Sequence, residues 1–70
     1  MKDLQKKFLR YKVGKYFRYK YTPDDVVFQV KKIKYMTPSQ LTIEVYWLGA
    51  AISQDVVLTD SNVDSYEETV

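Results

Sequence analysis

The chain has 70 residues, no cysteine and no histidine, and a hydrophobic content of 46%. This composition excludes disulfides, thiolate or imidazole metal ligands, and the hydrolase arrangements that need a histidine base. It predicts one small folded domain over residues 1–70.

The charges divide unevenly between the two halves of the chain. Residues 1–35 hold all eleven Lys and Arg with three acids, for a net charge of +8. Residues 36–70 hold six acids and no base, for a net charge of −6. This division predicts a bipolar surface unless the fold interleaves the two halves.

The sequence also predicts a soluble, cytoplasmic protein without membrane contact. No apolar run approaches the roughly 18 residues of a membrane span. The N-terminal segment MKDLQKKFLRYK is charged throughout, unlike the apolar stretch of a secretory signal.

Residues 3–11 are predicted to form a short amphipathic helix. Leu4, Phe8 and Tyr11 recur at the spacing of one helical face, and Asp3 is a suitable N-cap. A helix of about nine residues does not persist alone, so we expect it to pack against the rest of the domain.

Residues 15–59 are predicted to form a four-stranded antiparallel meander, beginning with the segment GKYFRYKYT. Over residues 15–21 the pattern has a period of two, which places Phe17, Tyr19 and Tyr21 towards the core. The opposite, solvent-facing positions of this strand are Tyr16, Arg18 and Lys20.

The second strand follows the turn TPDD and changes phase in its middle. Val26, Phe28 and Val30 alternate on one face, and then two lysines interrupt the pattern. A β-bulge at Lys31 and Lys32 would keep the later apolar residues inward and would bend the strand. Those later residues are Ile33 and Tyr35.

The third and fourth strands complete the predicted meander after the turn TPSQ. The third strand has the clearest alternation and is predicted to be central, with Trp47 in the core; its inward residues are Leu41, Ile43, Val45 and Trp47. The fourth strand spans residues 51–59, with Gln54 as a polar residue on the inward face beside Ile52, Val56 and Leu58. Residues 61–69 are predicted to form a short C-terminal helix, capped by Ser61 with Asp64 at N3 and with Val63, Tyr66 and Val70 on one stripe.

The predicted fold class is mainly β with short terminal helices. The stretch from VGKYFRYKY through VVFQVKKIKY to LTIEVYWLG resembles the strand meander of small SH3-like barrels, which implies a small open barrel. An α+β ferredoxin-like split is the alternative architecture. The Lys- and Tyr-rich, cysteine-free composition also resembles the short early proteins of large tailed phages.

The motifs that could carry chemistry are incomplete, so we expect no enzymatic activity, no cofactor and no metal. Asp60, Asn62 and Asp64 occupy the first positions of a calcium loop, but Ser65 replaces its glycine and its last glutamate would fall at residue 71. VGKY lacks the rest of a phosphate-binding loop. The adjacent acids of the TPDD turn lie in a predicted exposed loop, where carboxylates keep ordinary pKa values.

Two binding hypotheses remain. In the first, the protein is a protein-binding module, and the phage resemblance implies an inhibitor that occupies the nucleic-acid site of a basic host DNA-binding protein. A row of carboxylates would then imitate DNA phosphates. The residues of this acidic face are Asp55, Asp60, Asp64, Glu67 and Glu68.

In the second hypothesis, the basic half binds nucleic acid, with lysines and arginine on phosphates and Tyr16 stacked on bases. The basic residues are Lys12, Lys15, Arg18, Lys20, Lys31, Lys32 and Lys34. Two other interpretations stay open: the charged halves pair in a homodimer, or they are simply solvated surfaces.

Overall fold

The computed structural model describes residues 2–21 and 26–69, which form one α-helix and five β-strands. In chain order these are α1 (Lys2–Phe8), β1 (Tyr16–Tyr19), β2 (Val27–Thr37), β3 (Gln40–Trp47), β4 (Ile52–Leu58) and β5 (Tyr66–Thr69). The strands form a single antiparallel sheet in the order β4-β3-β2-β1-β5. The mainly β class and the four-stranded meander are therefore confirmed. The TPDD turn, with Asp24 and Asp25, lies outside the described residues.

The N-terminal helix is shorter than predicted, but the predicted apolar stripe is confirmed. α1 ends at Phe8, and the chain continues in tighter turns, with the Tyr11 amide donating to the Phe8 carbonyl at 3.1 Å. Phe8 and Tyr11 are buried, and Leu4 packs against the core. Because a helix of this length gains little from its own hydrogen bonds, these buried side chains hold it in place.

The core lies on one face of the sheet and is closed by residues from α1, from the turns that follow α1 and from the loop before β5. The Tyr11 ring stacks on Phe17 with centroids 4.3 Å apart, and its hydroxyl donates to the Val63 carbonyl at 2.6 Å. We call Phe8, Tyr11 and Val63 the cover of the core. The buried strand residues of the same cluster are Phe17, Phe28, Val30, Leu41, Ile43, Val45 and Leu58.

The first strand is shorter than predicted because β1 ends at Tyr19. Phe17 is buried as expected, and Tyr19 is half-buried beside Tyr66 with ring centroids 5.5 Å apart. The prediction that Tyr21 faces the core is wrong, since this residue lies beyond the strand and is 70% exposed.

The bulge predicted in the second strand is confirmed, and the structure adds another. The register between β2 and β3 shifts between Val30 and Lys32, and shifts again between Ile33 and Tyr35. The second shift turns Tyr35 to the outer face, opposite Thr42, where it is 61% exposed. Its predicted inward position is wrong. Ile33 remains opposite Ile43 but is 39% exposed, because β1 does not reach this part of β2.

The third strand lies inside the sheet between β4 and β2, but the central strand is β2, so the predicted central position of β3 is wrong. The inward alternation of β3 is confirmed by the burial of Leu41, Ile43 and Val45. Trp47 is half-buried at the end of the core, where its ring meets Phe28 at a centroid distance of 5.0 Å. On β4, Leu58 is buried and Val56 packs against the core. The predicted inward residue Ile52 shares this face, opposite Trp47, yet is 52% exposed, so its expected burial is wrong.

The predicted C-terminal helix over residues 61–69 is wrong. Residues 60–64 form turns, and β5 pairs with β1, with Tyr66 opposite Tyr19. Asn62 directs the turn: its Oδ1 accepts from the Thr59 amide at 2.7 Å and its Nδ2 donates to the Val57 carbonyl at 2.9 Å. Such local side-chain bonds compete with a helix start, and the strand satisfies the open edge of β1.

Candidate functional site

The predicted acidic face is not assembled into one row. Asp55 lies on β4, whereas Glu67 and Glu68 lie on β5, at the opposite end of the strand order. Asp60 and Asp64 lie in the turns between these two strands. The expectation of a continuous row therefore fails, because β4 and β5 are separated by the three other strands of the sheet.

Most of these carboxylates are already bonded to the basic half of the chain. Arg18 Nη1 lies 2.7 Å from Glu67 Oε2, and Lys34 Nζ lies 3.1 Å from Asp55. The remaining pairs are Lys7 with Asp64 at 2.7 Å, Arg10 with Asp64 at 3.3 Å, and Lys15 with Glu68 at 3.1 Å. The fold thus interleaves the two halves, and their charges offset each other locally.

Asp64 connects the turn before β5 to the N-terminal segment through ion pairs with Lys7 and Arg10. Its hydrogen bond from Lys7, with the nearby Arg10 guanidinium, lowers the pKa of this carboxyl below its usual range. The Asp64 carboxylate is therefore already paired with side chains of the same chain. In the same turn, the side-chain oxygen and nitrogen of Asn62 both form hydrogen bonds with the backbone. The residues that resemble a calcium loop therefore stabilise this turn.

The predicted nucleic-acid residues divide into two groups. Lys15, Arg18 and Lys34 form ion pairs with carboxylates, and Tyr16 is half-buried on β1. A second group of exposed lysines forms no ion pair with any described residue: Lys12, Lys20, Lys31 and Lys32. Sequence reasoning missed Tyr35, because nothing in the pattern indicated the second bulge that turns it outward.

The longer of the two edge strands of the sheet is β4. This strand stands at one end of the strand order and pairs with β3 through all seven of its residues, with no bulge. Proteins usually protect such edges with lysine, proline or bulges. β4 contains no lysine, proline or bulge and has Asp55 as its one charged residue, and Ile52 and Val57 are 52% and 43% exposed. The edge is therefore unprotected up to Val57, whose carbonyl already accepts from Asn62 Nδ2 at 2.9 Å.

A hollow of about 420 Å³ adjoins the start of β4, and we call it the Trp47 hollow. Trp47 and Ile52 contribute apolar surface to its wall, and the small residues of the β3–β4 turn leave the space open. Its lining comprises Val26, Val27, Trp47, Gly49, Ala50, Ile52 and Gln54. The indole Nε1 of Trp47 is buried and has no acceptor among the described residues. The sequence feature that indicates such a hollow is the large side chain of Trp47 followed directly by the segment LGAA.

The surroundings of β4 are acidic. Strands β3 and β4 come from the half of the chain that has no base, and among the described residues Lys34 is the base that pairs with them. Asp55 is 51% exposed in its side chain, and Asp60, just after β4, forms no ion pair within residues 2–21 and 26–69. A cationic ligand therefore matches this edge.

No group of three or more metal-ligating residues occurs in the described part of the chain. No helix there is long and apolar enough to cross a bilayer. Burial raises the pKa of Tyr11 to about 12, but this phenol donates to a backbone carbonyl inside the core and serves the fold.

No protein-family model, curated protein or solved structure matches the chain. The resemblance to small SH3-like barrels and to phage proteins therefore stays a prediction.

Proposed function

We propose that the protein is a non-enzymatic protein-binding module that takes up an extended, basic segment of a partner protein along β4. The observation that carries this proposal is the edge of β4, a seven-residue strand free of bulges whose edge is unprotected up to Val57. Strand addition to such an edge supplies backbone hydrogen bonds, which give affinity without requiring one particular sequence.

The Trp47 hollow supplies selectivity for the partner's side chains. In an added strand, alternate side chains face the same side of the sheet as Ile52 and Gln54, which line the hollow. A volume of about 420 Å³ accommodates an apolar side chain next to the indole of Trp47. Strand addition would therefore combine backbone pairing with one buried apolar anchor.

The charges favour a basic partner over a second copy of this chain. Asp55 on β4 and Glu44 on β3 share one base, Lys34. Asp60 next to β4 forms no ion pair with a described residue, so negative charge is in excess at this edge. Pairing β4 with β4 of a second copy would bring like charges together, which opposes a homodimer through this edge. A basic segment meets complementary charge instead. Inhibition of a host DNA-binding protein is the finer form of this hypothesis and stays a prediction.

A model peptide tests strand addition directly, with Trp47 as the readout. The chain has one tryptophan, so its fluorescence reports on the hollow. We expect a short peptide of alternating Val and Lys to change this emission, with an affinity that falls as salt rises from about 50 to 300 mM. A peptide methylated at alternate backbone nitrogens should not bind, because it cannot complete the hydrogen bonds.

A matched pair of variants locates the site. Ser53→Lys places a cation on the edge of β4 and should weaken the peptide roughly tenfold. Ser39→Lys adds the same charge in the exposed β2–β3 turn and should leave the affinity unchanged. Equal loss in both variants, or equal binding of the methylated peptide, would overturn the proposal.

If the model peptide binds as expected, crosslinking from position 52 in cells identifies the natural partner segment. We expect this segment to be extended and basic.

Nucleic-acid binding is the second candidate function, favoured by the exposed trio Lys31, Lys32 and Tyr35 on β2. Neither lysine forms an ion pair in the described structure, and Tyr35 is 61% exposed and able to stack on a base. A gel shift with single-stranded DNA tests it. Lys31→Gln with Lys32→Gln should lower the salt slope by about two if both contact phosphates. An unchanged slope contradicts this candidate.

A further inference from the structure

A second apolar site lies at the opposite end of β2 from the Trp47 hollow, between α1 and the last part of this strand. Two hollows adjoin there because Leu9 and Met36 line both of them. Their volumes are about 370 and 280 Å³. Leu9, Val13 and Met36 are 60%, 61% and 55% exposed, which is a large apolar surface for so small a domain. We call this site the α1–β2 cleft.

The rim of the cleft is positively charged. Lys12 lines one hollow, and Lys6 lies beside Leu9 in a neighbouring depression. Neither lysine forms an ion pair with any residue that the structure describes. The nearby carboxylate of Glu68 is held by Lys15 at 3.1 Å, so it does not offset these two charges. The cleft therefore matches an apolar ligand that carries negative charge.

The neighbouring backbone edge argues against an extended ligand here. β1 pairs with β2 no further than Gln29, so residues 31–37 of β2 have an open edge on this side among the described residues. That edge carries Lys31, Lys32 and Lys34 and both bulges, which are the features that prevent strand addition. A helix needs no such edge, because its backbone hydrogen bonds are internal.

We infer that the α1–β2 cleft binds an acidic amphipathic helix of a partner protein. Apolar side chains from one face of that helix occupy the two hollows, and its Asp or Glu residues lie against Lys6 and Lys12. A second copy does not fit, since α1 is itself rich in lysine and would repel the rim. A bilayer surface fits poorly, because it would not fill concave hollows. This inference uses a different surface from the proposed function and stands independently of it.

Fluorescence anisotropy with a labelled model peptide tests the inference. The peptide is a helix of Leu and Glu with the leucines on one face, and its control has the same composition with the leucines distributed around the helix. We expect preference of roughly tenfold or more for the one-faced peptide, weakening as salt rises. Equal binding of the two peptides, or no binding, would overturn the inference.

Variants of exposed residues separate this cleft from the other apolar surface. Leu9→Ser with Met36→Ser should reduce the affinity at least tenfold, and Lys6→Glu with Lys12→Glu should do the same at low salt. Ile52→Ser with Val57→Ser changes the same chemistry on β4 and should leave the affinity unchanged. A loss in the β4 variant equal to that in the cleft variant contradicts the assignment.

Binding to lipid vesicles tests the competing hypothesis that the cleft binds a membrane surface. Binding to vesicles of phosphatidylcholine with phosphatidylglycerol, without preference between the two peptides, would identify a membrane surface as the ligand and would overturn the inference. Absence of vesicle binding together with selective peptide binding supports it. Circular dichroism of every variant confirms that the sheet is retained.

Discussion

Strands β3 and β4 both have apolar residues at alternate inward positions, with Gln54 as the exception on β4, but these residues are buried to different extents. They pair residue by residue, with Ile43 opposite Val56 and Trp47 opposite Ile52. Ile43 is fully buried, whereas Ile52 is 52% exposed. An alternating pattern therefore specifies which side of the sheet a residue faces. It does not specify whether another element covers that residue.

The difference in burial arises because the cover packs over only part of the inner face of the sheet. Phe8, Tyr11 and Val63 belong to the same buried cluster as the middle of β3. At the start of β4, the neighbouring positions belong to the small residues of the turn, Gly49 and Ala50, which leave the Trp47 hollow open. The surface proposed to bind a partner is thus the part of the inner face that the cover does not reach.

The largest expected effect is the contrast between two isoleucine truncations. Ile43→Ala removes a fully buried side chain and should lower the free energy of unfolding by roughly 2 to 5 kcal/mol. Ile52→Ala should change it by no more than about 0.5 kcal/mol, because this side chain is exposed. Urea denaturation of both proteins measures the contrast. Similar losses would mean that the cover extends over β4.

The next effect tests the cover itself at high pH. Burial raises the pKa of Tyr11 to about 12 from an ordinary 10.0, so the folded state favours the neutral phenol. Stability from this group is complete below pH 10 and is lost as the pH rises towards 12, by roughly 2 to 3 kcal/mol. Thermal melts across this range should show the loss.

Tyr11→Phe is the matched control, since it keeps the ring on Phe17 but removes the titrating hydroxyl. All other residues are the same in the two proteins, so the difference between their pH profiles isolates Tyr11. Tyr66, whose pKa burial also raises, leaves some slope in the variant. Identical pH profiles for the two proteins would contradict the role assigned to Tyr11.

The smallest effect concerns the turn that joins the compared strands. Ala51 has a φ of 55°, a left-handed conformation that costs a non-glycine residue about 1 kcal/mol or more. Ala51→Gly should stabilise the protein by up to about 1 kcal/mol, with part of the gain offset by the flexibility of glycine. Ala50→Gly is the control and should not stabilise. Denaturant midpoints decide between them, and equal midpoints would show that the turn is not strained.

Local periodicity allowed much of the fold to be predicted. The inward residues of β3, the apolar stripe of the N-terminal segment and the bulge at Lys31 and Lys32 are all confirmed. Each depends on neighbours within a few positions of the sequence, where side-chain direction follows directly from the backbone repeat. The mainly β class follows from the same patterns.

The C-terminal segment shows where local patterns fail. Val63 and Tyr66 fit a helical stripe in the sequence, yet Asn62 bonds around a turn and the next residues pair with β1. The open edge of β1 is a partner from the other end of the chain. A local pattern contains no information about such a distant partner, which is why the prediction of a C-terminal helix is wrong.

The sequence by itself determined the charge division, the lack of His and Cys, and the side of the sheet that each residue of β3 faces. The tertiary structure alone decided which charges meet, joining Arg18 to Glu67 and Lys7 to Asp64 across the chain. It also decided which edges stay open and which apolar residues stay uncovered, as at Ile52. The physical reason is that ion pairing, edge pairing and burial all depend on contacts between distant segments, which periodicity within one segment cannot specify.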